Sequence, residues 1–424
     1  MTNPQLKLEH LLLPSIPEVT HHIVEHSCSK LLFSFLSLSE FICSQNTIEE
    51  PRKIAINKSV DYIRGSRHEV ILKMLSSPIF RGWYSKFGKI EDFSIKSSLL
   101  EALINSWDNH IYSFHYSDNF ESSFAVTNGV CHSWDPILTF QIPGHKFLVI
   151  KKQNQHFQVR DENTRMLASF LYDPRTFSTV IESIDHDHLE IKCNRNFLSN
   201  STIAIRNDIP SLCLRLSGLL ERETAIAEDL DFSHDSYNPC FDEREFITAS
   251  KLIEENWLPE YLDFKETLQI VVPRQPPAGW RARGMTVSSY QGAVWILARG
   301  ILPIFENLLH EHGHVKLRYI QEHTPILDAT QPERRYKVAW RTDPRPIVGI
   351  YEGVYVHLHM LMGLSLLLEN KVKLIPRSSI VQRTKLLRTQ IREGIDILEK
   401  YAVFTNDGAF FVKWARSMNS EAYV

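Results

Sequence analysis

The chain has 424 residues, 43% hydrophobic and 23% charged, with a formal net charge of -3. At roughly 100–200 residues per domain this length predicts two or three domains, with enough apolar sequence to bury a core without staples. The near-neutral balance argues against a general nucleic-acid binder, which carries a basic surplus, and leaves room only for a local basic groove, such as one for an acidic peptide.

Along the chain, residues 1–120 read as a helical region. KLLFSFLSLSEFICS and SSLLEALINSWDNHIYSF carry apolar residues at three- and four-residue spacing. Residues 121–210 read as β-rich. LTFQI, KFLVIKK, HFQVRDE, MLASFLY, HLEIKCN and TIAIRND are short strand-like runs separated by turn formers such as IPGH and DENT, which predicts an antiparallel meander ending near Asp208.

Residues 211–424 return to helical texture. SLCLRLSGLLERETAIAEDL predicts a helix, another ends at Trp257, ETLQIVVP reads as a strand and PRQPPAGWRARG as a loop. Val287–Ile296 reads as a strand with a turn at Gln291-Gly292. A strong helix is expected from Leu297 to about Gln321, with Leu302, Phe305, Leu308, Leu309 and Val315 in an apolar stripe. GIYEGVYVHLHMLMGLSLLLENK is a second, very apolar helix, and RSSIVQRTKLLRTQIREGIDILEKYA a third, amphipathic and basic, whose serines suit an N-cap. The expected fold class is α+β: a helical N-terminal part, a β-rich antiparallel middle and a mostly helical metal-binding C-terminal part.

The six cysteines, Cys28, Cys43, Cys131, Cys193, Cys213 and Cys240, form no C-x-x-C pair and read as isolated thiols in a reducing cytosol. The N-terminus lacks a basic stretch followed by a long apolar core. Windows such as LLFSFLSLSEFIC are too short and polar for a bilayer span, so a cytoplasmic protein without a membrane partner is expected.

The chemistry concentrates in LLHEHGHVKL, Leu308–Leu317, which contains the H-E-x-x-H match His310, Glu311 and His314. Residues four apart on a helix share a face, so both imidazoles can reach one ion at about 2.0–2.1 Å. Glu311 lies between them, where in a peptidase it would deprotonate a metal-bound water. A third ligand is needed. Glu352, on the next apolar helix, is the best candidate, because a carboxylate on so apolar a surface requires a partner. The alternative for Glu352 is an ion pair with an arginine, and His357 and His359 are alternative ligands. Between the two helices, Trp340-Arg341-Thr342-Asp343-Pro344-Arg345-Pro346 holds two arginines in a proline-stiffened segment. A guanidinium there can grip a carboxylate bidentately, or pair structurally with Asp343.

The run HEHGHVKLRYIQEHTPILD followed by AWRTDPRPIVGIYEGVYVH resembles the signature of the H-E-x-x-H peptide β-hydroxylases found with ribosomally made, post-translationally modified peptides. The specific part covers about Leu308 to His359, and SSYQGAVWI resembles more weakly the strand before the family's motif helix. The chain departs from the pattern at Glu352, where members often carry histidine. The resemblance implies an oxygenase that uses iron(II), 2-oxoglutarate and O2 on a precursor peptide. His310, His314 and Glu352 would hold iron as two histidines and one carboxylate, the set favoured by non-haem iron oxygenases. Arg341 or Arg345 would bind 2-oxoglutarate, and Glu311 would support a ligand histidine rather than act as a base. Two other readings stand beside this one. A zinc peptidase would use the same ligands with Glu311 as general base, and a non-catalytic peptide-binding protein would carry a degenerate site. Oligomeric state is not legible in the sequence.

Overall fold

The computed structural model describes residues 8–12, 17–45, 48, 50–65, 71–72, 75–89, 119–125, 130–132, 138–142, 147–154, 156–161, 163–173, 178–185, 189–193, 197–201, 203–206, 241–274, 284–296 and 299–420. The fold class is α+β, with helices at both ends of the chain and antiparallel sheet in the middle. Two compact units account for the chain: Cys28–Asn196, and Met1–Ser27 together with Phe197–Val424. The units cut across the three regions read from sequence, since the N-terminal helices and the meander share one unit while residues 1–27 belong with the C-terminal part. The helices expected at 97–114 and 211–230 lie outside the described residues.

The chain opens with α1 (Leu8–Leu12) and α2 (Pro17–Ser44). From Cys28 onward α2 belongs to the first unit, with α3 (Glu50–Gly65) and α4 (Pro78–Lys89). Phe35 of α2 meets Phe80 of α4 edge to face at 6.0 Å, and both are fully buried. The strands follow: β1 (Asn119–Ala125), β2 (Val130–His132), β3 (Leu138–Gln141), β4 (Phe147–Gln153), β5 (His156–Asp161), β6 (Met166–Asp173), β7 (Ser178–Ile184) and β8 (Glu190–Cys193). The expected meander is present as β4-β5-β6-β7, with β1 added antiparallel to β4, whereas β2, β3 and β8 form a separate three-stranded sheet. Alternation in HFQVRD buries Phe157 and Val159, and Phe157 stacks on its cross-strand partner Phe170 at 5.0 Å. The DENT turn closes because the Asp161 carboxylate accepts from the backbone N–H groups of Asn163 and Arg165.

The second unit carries β9 (Ala204–Ile205), α5 (Glu243–Asn256), α6 (Leu258–Thr267), β10 (Ile270–Pro273), β11 (Gly284–Thr286) and β12 (Ala293–Ile296). TIAIRND therefore does not end the meander. Its central pair is β9, which runs parallel to β10 in a sheet of order β11-β12-β10-β9. IVVP and AVWI lie side by side in parallel and are buried at every residue, which explains why neither shows alternation. The strand expected over Val287–Ile296 is shorter. Ser288–Tyr290 forms a 3-10 turn, Gly292 turns at φ 99, and only Ala293–Ile296 pairs. Gly284–Thr286, at the end of the expected loop, is instead a strand antiparallel to β12.

Then come α7 (Ile301–His323), the hairpin of β13 (Arg335–Tyr336) and β14 (Arg345–Pro346), α8 (Ile347–Glu369), α9 (Arg377–Tyr401) and α10 (Asn406–Ser420). Pro376, not a serine, occupies the N-cap of α9, and no side chain caps that end. By length and composition α8 is apolar enough to cross a membrane, but 72% of that stretch is buried inside the protein. Its apolar side chains are core, packed against α7 and α9. Each fully buried Leu or Val there contributes on the order of 1.5–3 kcal/mol of transfer free energy. Gly313, between His312 and His314, lets the two helices close together: a Cβ at that position would lie 3.1 Å from Val356 Cγ1 on α8.

Candidate metal centre

The four-residue spacing of Glu306, His310, His314 and Arg318 places them in one stripe along α7. The rings of His310 and His314 lie 5.0 Å apart, centre to centre. α8 brings His357 to the same face, its ring 6.0 Å from that of His310. Trp340 covers His357 edge-on at 5.3 Å. His310 and His314 are half-buried, and the His310 side chain keeps 26% of its surface exposed, so this face is open at one edge.

All three imidazoles are held neutral. Burial pushes His310 down to about 4, assisted by the guanidiniums of Arg383 and Arg341. Burial likewise holds His314 well below the usual histidine range, with His310, Arg318, His357 and Arg341 adding to it. His357 is depressed in the same way by burial, then by His310 and Arg383. Neutral imidazole is the form that ligates a metal. The Nδ1 of His357 is buried without a hydrogen-bond partner, a polar atom that a metal or a bound ligand would satisfy.

Glu311 turns to the side. Its Oε2 accepts from the Thr286 hydroxyl of β11 at 2.5 Å, while Oε1 stays 4.0 Å from His310 Nε2. Burial pushes this carboxyl up to about 8, with the Thr286 hydrogen bond and Arg318 opposing the rise. Residue 284 has to be glycine for this placement, because a Cβ there would overlap the Glu311 carboxylate.

Glu352 feels the charge of Arg318 on α7. Its carboxyl, raised by burial, is acted on by Arg318 and by a hydrogen bond from Gln321, both further along α7 than His314. It plays no part in the shifts of the three histidines, and the side chain α8 contributes beside them is His357. Arg341 and Arg345 both face Asp343, at 3.4 and 2.9 Å. Of the two, Arg341 acts on His310 and His314. A third guanidinium, Arg383 of α9, reaches the same face and donates from Nε to Glu306 at 2.9 Å. In the sequence its helix reads as amphipathic and basic, and nothing in the periodicity of α9 singles out the turn that meets α7.

Behind this face lies a second group of donors. Glu260 of α6, His312 of α7 and His359 of α8 each turn one ligand atom inward, the atoms lying within 4.8 Å of one another. Among the described residues it is the one group of three such donors gathered so closely, and it can hold a metal ion. All three side chains are fully buried. His312 went unremarked in the sequence although it sits inside HEHGH, because two residues along a helix faces nearly the opposite side.

No family model matches the chain, and no curated protein is significantly similar to it.

Proposed function

We propose that the protein is an iron(II)- and 2-oxoglutarate-dependent oxygenase that hydroxylates the Cβ of a residue in a ribosomally made precursor peptide in the cytoplasm, with His310, His314 and His357 holding the metal. The observation that carries this reading is the pair of guanidiniums, Arg341 and Arg383, that bear on the neutral histidines. Cationic groups beside a metal repel the ion but attract an anionic co-substrate, which a 2-oxoglutarate enzyme must bind there. When bound, iron(II) with 2-oxoglutarate would supply the oxidising power that side chains lack. The chain's own groups do the rest. The histidines bring three imidazoles to one face, Trp340 shields His357 from water, and Glu311, tied to Thr286, fixes the turn that carries His310. The resemblance around residues 308–359 supports the choice of iron and of a peptide substrate.

The Glu260–His312–His359 group is the less suitable catalytic centre. It matches the two-histidine, one-carboxylate set, but with fully buried side chains it leaves no path for a co-substrate or a peptide.

A second reading, a zinc peptidase, is favoured by one observation. Glu311 lies near His310 Nε2 with its carboxyl pushed up to about 8, which makes it a stronger base than an ordinary carboxylate once it is ionised. The deciding experiment is anaerobic addition of iron(II) and 2-oxoglutarate to the purified protein. The oxygenase predicts a visible metal-to-ligand charge-transfer band that is lost in His310→Ala. Absence of the band, together with zinc-supported cleavage of peptides, overturns it.

A further inference from the structure

We infer that Glu260, His312 and His359 form a closed metal site for a divalent cation of the zinc class, separate from the open face of His310, His314 and His357 and independent of what that face catalyses. The Thr267 hydroxyl has one hydrogen, and it donates that hydrogen to the Asp263 carbonyl at 2.7 Å. His312 Nε2 lies 2.9 Å from the same hydroxyl oxygen and must therefore donate to it. With Nε2 donating to Thr267, the Nδ1 that faces Glu260 Oε1 at 2.7 Å either carries a second proton, making the ring a cation, or presents a lone pair. His359 Nδ1 faces the same oxygen at 3.2 Å. Lone pairs converging in a dry interior repel unless something positive lies among them.

A metal ion meets three features at once. A ligating histidine characteristically donates its other ring N–H to a nearby acceptor, which is what the hydroxyl of Thr267 provides for His312. Separations of 2.7 and 3.2 Å between donor atoms are on the order of the distances between neighbouring ligands around an ion bound at about 2.0–2.2 Å. Glu260 Oε2 and the hydroxyl of Tyr355 are both buried without hydrogen-bond partners, and the Tyr355 ring lies against His359 at 4.5 Å. The neighbouring charges do not compete, since the Lys316 ammonium is paired with Asp263, which also accepts from Thr20. Two imidazoles and one carboxylate suit zinc, and their full burial leaves no route for a substrate to the ion. Such an ion would tie α6, α7 and α8 together directly behind the H-E-x-x-H turn.

The test uses the full-length double variant His310→Ala/His314→Ala, produced in zinc-supplemented medium and analysed for metal by mass spectrometry. About one equivalent of zinc is expected to remain, and to disappear when Glu260→Gln or His359→Gln is added. A metal-free double variant overturns the proposal and leaves a proton between His312 and Glu260 in place of the ion. Zinc that persists after the third substitution also overturns it, by placing the ion elsewhere. Where the third substitution prevents folding, cobalt(II) loaded into the double variant decides. Tetrahedral ligand-field bands without thiolate charge-transfer support the nitrogen and oxygen donors named here, and thiolate bands would reassign the ion to cysteine.

Discussion

Glu311 is the residue on which the two catalytic readings divide most sharply. As a base it would be indispensable, and a general base is worth about 10²–10⁴ in rate. As a support held by Thr286, it should cost about 10–100-fold in metal affinity or activity when altered, the usual effect of a group that orients a ligand. Glu311→Gln keeps the size and a hydrogen-bonding amide. The oxygenase is therefore expected to retain measurable turnover and its charge-transfer band, with weaker iron binding. Turnover reduced to background with iron affinity unchanged would favour the base. The arginines separate in a similar way. Arg341 acts on the histidines and Arg345 does not, although both lean on Asp343. Arg341→Gln is expected to raise the KM for 2-oxoglutarate by about tenfold or more, the worth of one charge-assisted hydrogen bond. Arg345→Gln should leave it within about twofold. The reverse order in steady-state kinetics would move the co-substrate to the other side of Asp343.

At the scale of elements, the site is a contact among α7, α8 and α9 wedged open by one indole. Trp340 is seated between Gly353 of α8 and Gly394 of α9. A Cβ at residue 394 would fall 2.9 Å from Trp340 Cη2 and 2.5 Å from Val354 Cγ2. Gly394→Ala is therefore expected to destabilise the fold by about 1–3 kcal/mol, as overpacking does, despite the better helix propensity of alanine. Because Trp340 covers His357, the same change should weaken metal binding. Urea unfolding together with an iron titration checks both, and an unchanged midpoint would show that the indole is free to shift. The elements also show what sequence periodicity can carry. α7 and α8 were legible because a helix repeats its apolar residues, and the pairing of His310 with His314 followed from spacing alone. Whether Glu352 or His357 would complete a site with His310 and His314 is not legible in the sequence, because it depends on how α8 is rotated about its own axis. Both residues lie among apolar neighbours, and only packing against α7 decides which one meets His310 and which meets Arg318. The 3-10 turn at Ser288–Tyr290 and the parallel pairing of β9 with β10 were hidden for a related reason. Fully buried strands do not alternate, and a two-residue strand has no period to read.

For the whole molecule, the division at residues 28–196 separates a helix-and-meander unit from the unit that carries every candidate ligand. A ligand that binds only the native form of one unit stabilises that unit by RT ln(1 + [L]/Kd), about 2.7 kcal/mol at a hundredfold excess over Kd. Unfolding of the full chain should therefore show one transition that rises with added iron(II) or zinc and one that does not. Trp257, Trp295, Trp340 and Trp414 belong to the ligand-bearing unit and Trp83 is among those of the other, so tryptophan fluorescence follows both transitions and calorimetry tells them apart. Calorimetry with parallel tryptophan fluorescence, with and without the ion, is the measurement. If both transitions move together, the units unfold as one cooperative body and the boundary near residue 196 is not a thermodynamic one. If only one transition moves, the stabilisation is confined to the ligand-bearing unit. Repeating the scan in His310→Ala/His314→Ala then shows how much of it belongs to the open face and how much to the buried group behind it.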